Sequence, residues 1–265
     1  MAETKSSEAD IRAAATIGGA PISWVAIIGA LMGAGTLVPL VFYIEGTGYH
    51  PLSKALYVPV LAILGTWGGV TSITIGGIIA LFIAPGAASS FIVSLAFDFV
   101  MLAVVIGFVL NGKWKYSAIL WVAGVITYIT IPWIIPGQAF VESFGIVGPY
   151  TFWPLFIGAN WFDLSSIVIV LLFRNKIPAW IRSEDSKKMV AAIMLTVWAS
   201  EISHLYGWGF WAIIYSQQVE LIAILSAVSV PMERTVLALV GALVGVPLLR
   251  TLRKSGLRSI PGSAW

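Results

Sequence analysis

Between Ala88 and Asn111 the chain reads ASSFIVSLAFDFVMLAVVIGFVLN, 24 residues with a single charge, Asp98. At about 1.5 Å per residue a helix of that length covers roughly 36 Å, and a hydrocarbon core needs about 20 such residues. The rest of the chain has the same character. Of 265 residues, 59% are apolar or aromatic and 10% are Asp, Glu, Lys or Arg, with a mean hydropathy of +0.95. Water-soluble domains carry about 25% charged residues, so a soluble globular fold is excluded. Strands alternating at period two, the mark of an outer-membrane barrel, are absent. The expected fold class is all-α, a polytopic membrane helical bundle.

Outward from that stretch, eight apolar segments are predicted: 21–44, 53–67, 69–84, 88–111, 116–136, 150–173, 189–215 and 229–250. The second and third are short and meet at Gly65-Thr66-Trp67-Gly68-Gly69, which reads as a tight helical hairpin beside six full-length segments. Residues 1–20 form a polar tail without the basic region and short apolar core of a cleaved signal peptide, so the first segment is expected to be retained. Residues 21–252 form one transmembrane domain, and 253–265 a basic C-terminal tail.

The charges orient this bundle. An N-terminus inside puts 13 of the 15 Lys and Arg residues on the cytoplasmic side, leaving Lys54 and Arg234 near the outer face. The positive-inside rule therefore predicts a multi-pass cell-membrane protein with both termini cytoplasmic. The net charge of +3 is explained by those flanking loops and implies no nucleic-acid partner. Trp24, Trp114 and Trp180 near inner boundaries, and Trp133, Trp153, Trp208 and Trp211 near outer ones, suit interfacial anchoring. Cysteine is absent, which removes disulfides, thiolate zinc sites and cysteine nucleophiles. No GxxxxGK[ST] motif is present, and no cofactor is expected.

Asp98, Asp163, Glu201 and His204 fall inside predicted spans, with Glu233 and Arg234 near the outer end of the last one. A carboxylate at the bilayer centre costs roughly 2.5–3.5 kcal/mol, so each should face the bundle interior with a partner. Counted from the boundaries, the three acids lie near midplane, and no Lys or Arg is expected at that depth. Protons, a bound cation or polar neighbours such as Asn160 would have to neutralise them. Glu201 and His204 share a helix face, as do Asn160 and Asp163. A lone Glu-x-x-His is too few ligands for a di-iron site, which needs two such motifs and two more Glu. Asp98, Asn160, Asp163, Glu201, His204 and Trp208 are the candidate substrate-binding residues.

On the first segment Ala26, Ala30 and Ala34 recur every four residues, with Gly29 and Gly33 offset by one. Such a stripe lets another helix approach closely. It resembles the docking face of the substrate-binding S-components of energy-coupling-factor transporters. So do the polar loop Glu45 to Lys54, the Gly65–Gly69 turn followed by Ile75-Gly76-Gly77, and the closing helix Pro231-Met232-Glu233-Arg234 with Gly241 to Arg250. The resemblance covers residues 1–110 and 231–265. It implies a subunit that captures a vitamin, vitamin precursor or metal ion. A separate transmembrane subunit, docking on Ala26, Ala30 and Ala34, and two ATPases would supply the energy. The residues themselves leave two other functions open, a membrane-embedded metal or acid–base enzyme and a non-catalytic subunit of a larger membrane complex.

Overall fold

Backbone amides in lipid must be satisfied within their own segment, so long apolar runs fold as helices. The computed structural model describes residues 15–42, 48–87, 94–134, 157–158, 160–207 and 219–265. In chain order the elements are β1 (Thr16–Ile17), β2 (Ala20–Pro21), α1 (Ile22–Gly35), β3 (Pro39–Phe42), β4 (Tyr49–Pro51), α2 (Leu52–Ala55) and α3 (Tyr57–Ile83). A π-helical run, Ser94–Met101, leads into α4 (Leu102–Leu110). Then follow α5 (Trp114–Ile134), α6 (Trp161–Phe173), α7 (Lys176–Ile181), α8 (Ser186–Ala199) and α9 (Val219–Lys254). Among the described residues three helices are long and apolar enough to cross a membrane: Tyr57–Ile83, Ser186–Gly207 and Ala227–Lys254.

The first of these three is bent back on itself. Gly65 has φ 71° and ψ 177°, outside the helical region. A Cβ on Gly69 would lie 3.0 Å from the Cα of Leu61, positions that a straight helix separates by about 12 Å. The turn needs glycine twice over. Its φ is positive, and a Cβ there would stand 2.7 Å from the carbonyl oxygen of Pro261. The hairpin expected around Gly65 thus has a short arm, 57–64, and a long arm, 66–83.

Helix α1 lies along the long arm and runs the same way. Gly29 faces Ile75 and Gly33 faces Ile79, so close that a Cβ on Gly33 would come within 2.7 Å of the Ile79 side chain. Ser72 Oγ donates to Val25 O at 2.7 Å across the same seam. Lipid is as apolar as Leu, so this close packing, rather than escape from water, holds the two helices together. Leu61, Leu64, Ile73, Leu110, Ile193 and Leu249 fill the buried core around the hairpin.

One end of the bundle is basic and gathers both described ends of the chain. Trp24 stacks on Trp265 with centroids 6.3 Å apart, and Trp265 Nε1 donates to Ile63 O at 2.9 Å. Arg253 donates to Ile181 O, Ser183 O and Ala264 O, while Arg182 reaches Leu110 O and Asn111 Oδ1. The Arg174 guanidinium lies 5.0 Å from the Trp114 ring centroid. The last residues are therefore a strap tied across the hairpin, with Ile260 and Ala264 buried.

Two features depart from the expected all-helical fold. Two short antiparallel ribbons are present, β1–β2 leading into α1 and β3–β4 connecting α1 to α2. Helix α9 is also already formed at Val219, ten residues before the predicted 229.

Candidate functional site

Eight ionisable side chains from six parts of the chain converge at the end of the bundle away from the basic collar. They are His50 on β4, Lys54 on α2, Asp98 in the π-helical run, Asp163 on α6, Glu201 and His204 at the end of α8, and Glu233 and Arg234 on α9.

The helices lose regularity where they supply these groups. Asp98 sits in the π-helical run, a form that concentrates at functional positions. Just past α8 the bonding tightens to the three-residue spacing of a 3-10 turn: Ser203 N donates to Ser200 O, and His204 N to Glu201 O, both at 3.0 Å. Asp163 occupies the first turn of α6, where the positive end of the helix dipole favours a carboxylate. In α9, Pro231 has no N–H to offer the carbonyl one turn back, and Trp161 Nε1 donates to that oxygen, Ala227 O, at 2.8 Å. The freed backbone group ties α6 to α9 beside the cluster.

Arg234 is the hub. Its Nε donates to Glu201 Oε1 at 2.7 Å, its Nη1 lies 2.7 Å from His50 Nε2, and Glu233 Oε2 is 3.5 Å from the same Nη1. His50 Nε2 also lies 2.9 Å from Glu233 Oε2. An imidazole nitrogen carries either a lone pair or a hydrogen, so it serves the guanidinium or the carboxylate, not both at once. Burial holds the His50 imidazole well below its ordinary value of 6.5, with Lys54 and Arg234 pushing the same way. Beyond the hub, His204 Nδ1 is 3.0 Å from Asp163 Oδ2 and 3.7 Å from Glu201 Oε2, and Lys54 Nζ donates to Asp98 Oδ1 at 3.3 Å. Exposure rises across the cluster, from 2% for the Glu201 side chain and 3% for Asp163 to 19% for His204 and 38% for Asp98. The cluster is sealed at the hub and reachable from the Asp98 and His204 side.

Arg234 and Lys54 correct the expectation that the buried acids have no base at their depth. With α9 already helical at Val219, Arg234 stands at least 15 residues into its helix instead of five, about 22 Å along it rather than about 8 Å. Lys54 is carried inward by α2, and its side chain is 9% exposed. Glu233 is likewise buried rather than interfacial.

Of the other predicted site residues, Asn160 is buried beside this region, its Nδ2 donating to Tyr128 Oη at 3.2 Å. Trp208 lies outside the described residues. Ala26, Ala30 and Ala34 are all exposed, along the edge of α1 beside the buried Gly29 and Gly33. His50 and Lys54 were missing from the predicted set. A signal for Lys54 was present, because it and Arg234 are the two bases that break the inside-positive partition.

Compared with known families, characterised proteins and solved structures, the chain matches none. The geometry of the site therefore carries the functional argument.

Four carboxylates (Asp98, Asp163, Glu201, Glu233) face two basic side chains (Lys54, Arg234), an excess of two negative charges when all six are ionised and both imidazoles are neutral. Asp163 Oδ1 and Glu201 Oε2 are buried without a hydrogen-bond partner among the described residues. Leaving such an oxygen unmatched costs about 1–3 kcal/mol or more for a charged group. One ligand atom each from Asp163, Glu201 and His204 lies within 4.8 Å of the others, so these three are the residues that could hold a metal ion.

Proposed function

We propose that this chain is the membrane-embedded capture subunit of an uptake system, binding a small cationic or hydrogen-bond-donating solute and relying on separate partner subunits for energy. The observation that carries the reading is the buried cluster in which four carboxylates meet two basic side chains and two carboxylate oxygens have no hydrogen-bond partner among the described residues. Ionisable groups at membrane depth are costly unless they serve a solute or ion pathway, and an excess of acid selects against anions. The exposed stripe of Ala26, Ala30 and Ala34 on α1 is the docking face for a transmembrane coupling subunit, which would work with two ATPases. The basic end faces the cytoplasm with both termini, and the cluster opens outward.

Gentle purification tests this reading. A membrane subunit and ATPases should co-purify with the intact chain, and Ala30→Leu should lose them while melting as the unaltered protein does. Asp163→Asn should keep the partners and lose any small molecule that mass spectrometry finds retained by the intact chain. A chain that purifies alone, with Ala30→Leu making no difference, would overturn the capture-subunit reading.

A further inference from the structure

We propose that Asp163, Glu201 and His204 bind one divalent first-row transition-metal ion, which makes that ion the captured solute; the second clause rests on the uptake reading above, the first does not. Two ligand atoms each about 2.1 Å from one ion lie about 3.0 Å apart when they subtend 90° and about 3.6 Å apart at 120°. His204 Nδ1 lies 3.0 Å from Asp163 Oδ2 and 3.7 Å from Glu201 Oε2. Those separations suit neighbouring positions around a single ion.

The two unmatched oxygens point to the same ligand. Asp163 Oδ1 and Glu201 Oε2 are buried acceptors with nothing donating to them among the described residues, on side chains 3% and 2% exposed. A cation satisfies several carboxylate lone pairs at once, where a hydrogen-bond donor satisfies one. The charges also balance. With the acids ionised and both imidazoles neutral, Asp98, Asp163, Glu201 and Glu233 against Lys54 and Arg234 leave two negative charges, the count that a divalent ion cancels.

The surroundings orient the ligands. Arg234 Nε holds Glu201 Oε1 at 2.7 Å, which turns Oε2 toward His204, and His50 contacts Arg234 from behind at 2.7 Å. Such outer contacts fix a ligand's rotamer before the ion arrives. Two carboxylate oxygens with one imidazole nitrogen favour Mn²⁺, Fe²⁺, Co²⁺ or Zn²⁺ over the softer Cu⁺, and over Ca²⁺ or Mg²⁺ with their all-oxygen shells. Three protein ligands leave positions for water, so the ion stays exchangeable. His204, at 19% exposure, lies on the reachable side of the cluster.

Co²⁺ is the probe, because its visible absorption reports the ligand field directly. Full-length protein in detergent, stripped with a chelator and titrated with CoCl₂ near neutral pH, should bind one equivalent and show new visible bands. Excess Zn²⁺ should displace it, and Mg²⁺ should not. His204→Ala and Asp163→Asn should each weaken Co²⁺ binding by about 100-fold, since outer-sphere changes alone cost 10–100-fold. Co²⁺ should also raise the melting temperature of the unaltered chain and not of the variants, by mass action on the folded state. The absence of saturable Co²⁺ binding to the unaltered chain overturns the site, as does unweakened binding in whichever of the two variants folds. The two readings fail separately. Loss of the partner complex with intact Co²⁺ binding removes the uptake role and leaves the metal site. Partners without Co²⁺ binding remove the metal and leave the uptake role.

Discussion

Arg234 decides whether the cluster holds together, because three groups depend on one guanidinium. Its fork meets Glu201 and His50 from different nitrogens, both at 2.7 Å, with Glu233 alongside. An ammonium group is a point charge without that planar fork, so Arg234→Lys keeps the charge and loses the geometry. Arg234→Gln removes the charge and strands Glu201. It should destabilise the protein by about 3–5 kcal/mol, the usual cost of breaking a buried pair from one side. Thermal and denaturant unfolding in detergent measure this, with Arg234→Lys expected between Gln and the native residue. Unfolding of Arg234→Gln at the native midpoint would remove Arg234 from its place as hub. Glu201→Gln likewise takes the carboxylate from Arg234 Nε and should weaken the fold as well as the site. Asp163, Glu201 and His204 were legible as single letters because a charge inside an apolar run demands a reason. His50 carried no such signal, since a histidine in a polar loop is ordinary until a fold buries it.

At the scale of the element, α1 shows two faces built from the same kind of residue. Gly29 and Gly33 press on Ile75 and Ile79, while Ala26, Ala30 and Ala34 stand exposed. A methyl at Gly33 would come within 2.7 Å of Ile79 Cγ2, so Gly33→Ala should cost about 1–3 kcal/mol through overpacking. Ala30→Leu enlarges an exposed side chain and should leave the unfolding midpoint unchanged. Midpoints measured side by side separate the two faces, and an equal loss in both would put Ala30 in the interior. Periodicity identified a small-residue stripe but not which edge of it packs inward, because glycine and alanine read alike in a hydrophobic pattern. The start of α9 was misread for a related reason. Residues 219–228 include a glutamate, Glu220, that lowers the apolar signal without stopping the helix.

Across the whole molecule the charge is polarised. The basic collar of Arg174, Arg182 and Arg253 gathers with the C-terminal strap at one end, and the acid-rich cluster lies toward the β3–β4 ribbon. The absence of cysteine makes single-cysteine variants clean reporters of sidedness. Lys187→Cys and Ser259→Cys are exposed positions at the basic end, and Phe42→Cys is exposed on β3. An impermeant thiol reagent added to intact cells should label Phe42→Cys and spare the other two until the cells are opened. The reverse pattern would invert the bundle and turn the cluster toward the cytoplasm.

The membrane class, the helical architecture, the turn at Gly65 and the buried acids were set by the sequence alone. Each rests on a local cost: unpaired amides in lipid, a positive φ, a carboxylate away from water. Pairing was decided only by the tertiary structure. Lys54 and Asp98 are 44 positions apart, Arg234 and Glu201 33, and His50 and Glu233 183. Nothing local relates them. They meet because α8 packs on α9, and because the ribbon after α1 folds His50 inward. A periodic pattern records which face of a helix is apolar, not which other helix that face will find.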